Sequence, residues 1–119
     1  MDATLPATDQ LYDSAACALV ATDTGGLILQ ANATFHEWLG LAAGALVGRV
    51  RMGELLPPGT RLFFHTRCDP LLETKGAVAE IQVDLLAHDG SRLPVLLNIV
   101  RRRPADGTDG PTIDHWALF

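Results

Sequence analysis

The sequence predicts an α+β domain: a five-stranded antiparallel sheet with short helices and one longer helix packed on one of its faces. Three observations carry this expectation. Apolar and polar residues alternate with a period of two toward the C-terminal end, as in Ile81-Val83-Leu85 and Leu93-Val95-Leu97-Ile99. The middle of the chain shows helical spacing and glycine stops instead. No strand–helix–strand alternation or internal repeat is present, so the strands near the two ends are expected to share one antiparallel sheet.

The elements follow in order. Residues 17–22, "CALVAT", are small, apolar and β-branched, which suits a buried strand. Asp-Thr-Gly-Gly then supplies turn formers, and 27–31, "LILQA", make the second strand of a hairpin. Asn32 is a good N-cap for a helix in which Phe35, Trp38 and Leu39 form an apolar stripe and Gly40 is the stop. Between Leu41 and Pro58 only short helical turns fit. Thr60 is the expected cap of the longer helix; Pro70 is expected to kink it or restart it with Asp69 as the new cap, and Gly76 ends it. Two long strands joined by an Asp-Gly turn follow, then the loop "PADGTDGP" and a last strand, "TIDHWALF". Residues 1–13 read as an N-terminal extension or short helix, and 14–119 as the domain.

Composition narrows the function. At 119 residues a single core is expected. The net charge of −5 argues against nucleic acid or an anionic membrane as the main partner. The run Arg101-Arg102-Arg103 reads as a solvated strand end. Two cysteines, Cys17 and Cys68, without Cys-x-x-Cys or zinc-like histidine spacing, do not make a disulfide scaffold or a metal site. No signal peptide or membrane helix is read, so a cytoplasmic location is expected.

Three segments in the right order resemble the PAS family, over nearly the whole chain. "LVATDTGGLILQANATFHEWLG" is similar to its opening hairpin and following helix, with Asp23, Gly26, Asn32 and Phe35 at the matching places. "LVGRVRMGELLPP" resembles its short middle helices, and "EIQVDLLAHDGSRLPVLLNIV" its long hairpin. "RLFFHTRCDPLLETKG" further resembles PAS domains attached to bacterial diguanylate cyclases, sensor kinases and PP2C-type phosphatases. The resemblance implies a sensory or regulatory domain of a larger signalling protein, not itself an enzyme. It would act through a small ligand, through homodimerisation, or both, with an output domain beyond this chain. A constitutive dimerisation module without ligand is the alternative.

Asp23-Thr24-Gly25 also resembles the active-site triplet of retroviral-type aspartic proteases, the remote alternative. Gly26 follows where those enzymes usually carry Ala or Ser, and a short strand and an Asn-capped helix come next, so Asp23 reads as a turn residue. The Asp23→Asn exchange separates the readings: a protease would lose all activity, and a turn would tolerate the change.

If a ligand cavity exists between sheet and helices, Phe35, Leu62, Phe63, Ile81, Val83, Leu97 and Trp116 are the candidate lining, with Asn98 or the Trp116 indole as polar anchors. The same residues could simply fill the core. The family's flavin photosensors carry a cysteine that "RVRMGELL" lacks, which argues against flavin. Haem-binding members use a histidine on the long helix, where His65 lies, but its helical phase groups it with Arg61, Leu62 and Cys68 and favours a surface position. None of the four histidines reads as paired with a carboxylate at metal spacing. For a dimer interface the candidates are Leu11 and Tyr12 in the N-terminal segment and Leu86, Leu96, Val100 and Leu118 on the outer face of the sheet.

Overall fold

A computed structural model describes residues 5–119; the first four residues of the expected N-terminal extension lie outside them. The strands are β1 (Ala18–Thr22), β2 (Ile28–Ala31), β3 (Ala77–Leu86), β4 (Arg92–Arg102) and β5 (Ile113–Leu118). They form one antiparallel sheet in the order β2-β1-β5-β4-β3, so the last strand of the sequence lies in the middle. The helices are α1 (Thr8–Asp13), α2 (Ala33–Leu39), α3 (Ala43–Leu46), α4 (Pro58–Phe63) and α5 (Asp69–Lys75).

The opening hairpin is closed by Asp23. Its Oδ1 accepts from the amides of Gly25 and Leu27, both at 2.9 Å, and Gly26 takes φ 88° to complete the turn. Asn32 caps α2 by accepting from the Phe35 amide at 3.2 Å. It is fully buried and uses all four of its hydrogen-bonding positions: Oδ1 also accepts from the Leu19 amide, and Nδ2 donates to the carbonyls of Tyr12 and Cys17. One side chain thus ties α2, β1 and the end of α1 together.

The longer helix departs from expectation at both points where proline matters. It begins at Pro58, which suits the first helical position because its missing N–H has no intrahelical partner there; Thr60 sits inside the first turn. Pro70 falls at the second position of α5, which starts at Asp69 with Cys68 rather than Asp69 in the cap position. Residues 64–68 widen into a π turn between α4 and α5, with the Asp69 amide donating to Phe64 five residues back, and the junction residues stay helical. A proline cannot serve the carbonyl four residues earlier and crowds it, and the wide turn immediately before relieves that conflict.

The helices between β2 and β3 cover one face of the sheet. Val20, Val83, Leu85, Val95, Leu97, Ile99, Trp116 and Leu118 point into the core and meet Phe35, Leu39, Leu46, Met52, Phe64, Cys68 and Leu72. Each such aliphatic or aromatic side chain contributes roughly 1.5–3 kcal/mol by burial, so the sheet–helix seam carries most of the stability. Leu118 is fully buried, so it leaves the set of outward dimer candidates: it shares the inward parity of Trp116 two residues before it.

β3 carries a bulge. The pairing with β4 slips between Val78 and Ile81, where Glu80 adopts φ 58° and its amide donates to Asn98 Oδ1 at 2.7 Å. Asn98 therefore holds an edge-strand bulge and is not a polar anchor inside the fold. An irregular, charged edge also resists pairing with other strands.

Candidate functional site

A cavity of about 310 Å³ opens between the hairpin turn at Thr24–Gly26, the 3-10 turn at Met52–Leu55, the long helix and β5. Its wall is aromatic and aliphatic: Met52, Leu56, Phe64, Leu72 and Trp116. Its polar groups are Arg51, Glu54, Arg61, His65, Asp69 and Asp114.

Phe64 and Trp116 stack with ring centroids 5.5 Å apart and planes 11° from parallel. Such a pair adds roughly 0.5–1.5 kcal/mol beyond the area it buries and fixes the shape of the wall. The Trp116 indole N–H is not free to meet a ligand. It donates to Thr22 Oγ1 at 3.0 Å, and that hydroxyl in turn donates to the Asp23 carbonyl at 2.8 Å.

Behind the wall lies an ion-pair cluster. Arg101 donates from Nε and an Nη to the two carboxylate oxygens of Asp114, at 2.8 and 3.0 Å, and from its other Nη to Glu73 at 2.9 Å. The Arg101 and Asp114 side chains are 5% and 4% exposed, whereas Glu73 is 69% exposed. The hydrogen bonding to the Asp114 carboxylate is the largest influence on the Arg101 guanidinium and holds it above its usual range. The first member of the arginine run is thus no solvated strand end: it has the inward parity of Ile99 and clamps α5 to β4 and β5.

At the rim, His65 Nδ1 lies 2.8 Å from Asp69 Oδ2, a histidine–carboxylate pair one helical turn apart that the reading of the sequence did not contain. His65 is exposed, at the mouth of the cavity. No group of three or more His, Cys, Asp or Glu residues disposed to hold a metal occurs among the described residues. Cys68 is buried on the long helix, and that burial is the main reason its thiol is pushed up; Cys17 precedes β1, and neither lines the cavity.

Of the eight side chains expected to line a cavity, Trp116 does so. Phe35, Val83 and Leu97 are buried in the packed core and Ile81 packs against it. Leu62 and Phe63 are corrected outright: they are 66% and 44% exposed, and Phe64, 8% exposed, is the aromatic that turns inward. Asn98 lies on the outer face of the sheet. The lining the sequence reading missed comes from the hairpin turn, from Arg51–Glu54 and Leu56, from Arg61, Phe64, His65, Asp69 and Leu72 on the long helix, and from Asp114.

The outer face presents Leu19, Leu96, Val100, His115 and Ala117, with Leu96 exposed and Val100 half-buried. α1 lies beside the β1–β2 end of that face, its Leu11 exposed and its Tyr12 half-buried with the hydroxyl toward the Leu19 carbonyl. Leu86, next to the β3–β4 turn, is half-buried. No helix among the described residues is long and apolar enough to cross a membrane.

Comparison with known proteins places this architecture among relatives. Residues 7–108 match the family model described as the PAS fold. The chain is 31% identical over 94 residues to the phosphoserine phosphatase RsbP of Bacillus subtilis, covering 79% of this chain and 23% of that protein. It is 31% identical over 83 residues to the sensor histidine kinase TmoS of Ectopseudomonas mendocina, covering 70% of this chain and 8% of that protein. It therefore spans less than a quarter of the length of these curated relatives. Among solved structures, the PAS domain of a Colwellia psychrerythraea protein superposes with a TM-score of 0.80 at 17% identity, covering 92% of this chain and 89% of that one.

Proposed function

The chain belongs to the PAS family, and on that premise we propose that it is the sensory domain of a larger signalling protein and binds a small molecule in the cavity between the long helix and β5. The carrying observation is the cavity itself. Its volume falls at the small end of the roughly 300–1,000 Å³ typical of small-molecule sites, and its apolar wall with a few convergent polar groups fits that use. Trp116 connects the wall to the centre of the sheet. An occupant that displaced the Phe64–Trp116 stack would be felt at Thr22 on β1 and across β5. A ligand that favours one position of that stack over another would shift the population between the two.

RsbP and TmoS, each matched by the chain over a small part of its length, are a phosphatase and a sensor kinase by name; an output domain of that kind is the expected recipient of the shift. Native mass spectrometry of the purified protein, with its near-ultraviolet and visible absorption, tests this reading. A co-purified mass or a visible band supports it. A clean apo species that also binds nothing from a small-molecule library removes its basis.

Pairing of two copies through the outer sheet face and α1 is the second reading. The exposed Leu11 and Leu96, with half-buried Tyr12, Leu86 and Val100, favour it, since a solvated face needs no such set. Sedimentation of the wild type against Leu96→Glu decides it: a dimer that the substitution dissociates supports pairing through this face, and a wild-type monomer overturns it.

A further inference from the structure

The charged groups of the cavity are unevenly partnered. Two of the three carboxylates face a basic side chain, Asp114 both arms of Arg101 and Asp69 His65, while exposed Glu54 accepts from the Arg51 amide at 2.7 Å. The two guanidinium groups are held by neutral acceptors only. Arg51 donates to the Gly25 carbonyl at 3.2 Å, and Arg61 donates to the carbonyls of Gly53 and Leu56 at 2.8 and 3.2 Å. Neither makes a salt bridge among the described residues. A carbonyl acceptor fixes a guanidinium in place without cancelling its charge. Each keeps further N–H groups, and both side chains border the cavity.

We propose that the occupant of this cavity is a small organic anion, with a carboxylate or similar head held by Arg51 and Arg61 and an apolar, preferably flat, body against Phe64 and Trp116. This deepens the ligand-binding reading given above and rests on it. An amine head would find two of its three natural partners already facing basic side chains. Arg51 and Arg61 are exposed, so an uncharged body would leave them to water, whereas a planar acid meets two fork-shaped donors already held by carbonyls at the cavity's edge.

The test compares three probes of nearly equal shape on the wild-type protein: phenylacetate, phenylacetamide and phenethylamine, each titrated calorimetrically. Arg51→Gln, Arg61→Gln and, as a control away from the cavity, Arg102→Gln are titrated in parallel, with their folding checked by far-ultraviolet circular dichroism. The expected result is binding of the acid, at least roughly tenfold weaker binding of the amide and the amine, and a loss of roughly tenfold or more of acid affinity in either cavity variant but not in Arg102→Gln. Amide or amine binding as tightly as the acid overturns the anion assignment and leaves the small-molecule site standing. Acid affinity lost equally in Arg102→Gln overturns it as surface charge attraction. Binding of none of the three overturns it and counts against the cavity as a ligand site as well. The wild-type probe series decides the question even if an arginine variant fails to fold.

Discussion

Replacing Asn32 by Ala tests the claim that one buried amide joins three elements. The substitution removes four hydrogen bonds, to the amides of Leu19 and Phe35 and the carbonyls of Tyr12 and Cys17. Asn32 is fully buried, so water does not simply take its place. At about 1 kcal/mol for each bond the loss is about 4 kcal/mol, against a typical domain stability of roughly 5–15 kcal/mol. For a chain of this size that is a fall in Tm of about 15 °C. Urea unfolding of the wild type and the variant, followed by tryptophan fluorescence, measures it.

Asn32→Asp separates the two halves of the network. It keeps both acceptors but turns an oxygen toward the Tyr12 and Cys17 carbonyls in place of the donating NH₂. Burial and those carbonyls push the introduced carboxyl above its ordinary range, so the folded state holds the proton more tightly than the unfolded chain. Its deficit relative to wild type therefore grows as pH rises from the unfolded carboxyl range through the raised folded value. A loss below about 1 kcal/mol in the Ala variant, or a pH-independent deficit in the Asp variant, would refute the argument, because a merely exposed helix cap behaves that way.

Three further outcomes follow from the geometry. Asp114→Ala strips the partner from a buried guanidinium and is expected to cost about 3–5 kcal/mol in urea unfolding, whereas Glu73→Ala, at the exposed end of the same cluster, costs below about 1 kcal/mol. Phe64→Ala is expected to cost about 3–5 kcal/mol by the same measurement, and Phe63→Ala, one position away but exposed, within about 1 kcal/mol. Tyr12 is the single tyrosine of the chain, and burial, then the neighbouring Asp13, push its hydroxyl up to about 12. A spectrophotometric titration should show that midpoint rather than 10.0; because the folded state favours the protonated phenol, its contribution to stability is present below 10.0 and is lost as pH rises toward 12.

The fold was largely legible because its signals are local. Asp23 and Gly26 make a turn by their own chemistry, Asn32 and Gly40 bracket a helix, and period-two alternation marks the strands. Errors arose where composition stood in for position. Phe64, Cys68 and Leu72 recur every four residues and turn inward, whereas Leu62 and Phe63 fall off that stripe and only their apolar character suggests the interior. The Glu80 bulge shifts the parity of β3, and its partner Asn98 is polar because a bulge needs an acceptor, not because a ligand does. Elsewhere residue type overrode parity. Arg101 follows Ile99 and Leu118 follows Trp116 at two-residue spacing, which puts both inside, yet charge suggested solvent for the one and an apolar surplus suggested an interface for the other. The cavity draws on four separate segments, from Thr24 to Trp116, and no local pattern brings those together.

The place of β5 bears on how the chain reaches this state. Ala18 pairs with Leu118, so the contact that joins the two halves of the sheet links residues from nearly opposite ends of the sequence. Until that strand arrives, β1–β2 and β3–β4 are two separate ribbons with bare backbone edges, and an isolated ribbon is barely stable in water. The closure entropy grows only logarithmically with the intervening length, so the finished fold loses little stability by this wiring. Pairing across so long a sequence separation slows folding, and a ribbon formed ahead of it would offer its bare edge to the matching ribbon of another molecule. Aggregation during refolding should therefore track protein concentration, and it should worsen with any change that delays the docking of this last strand.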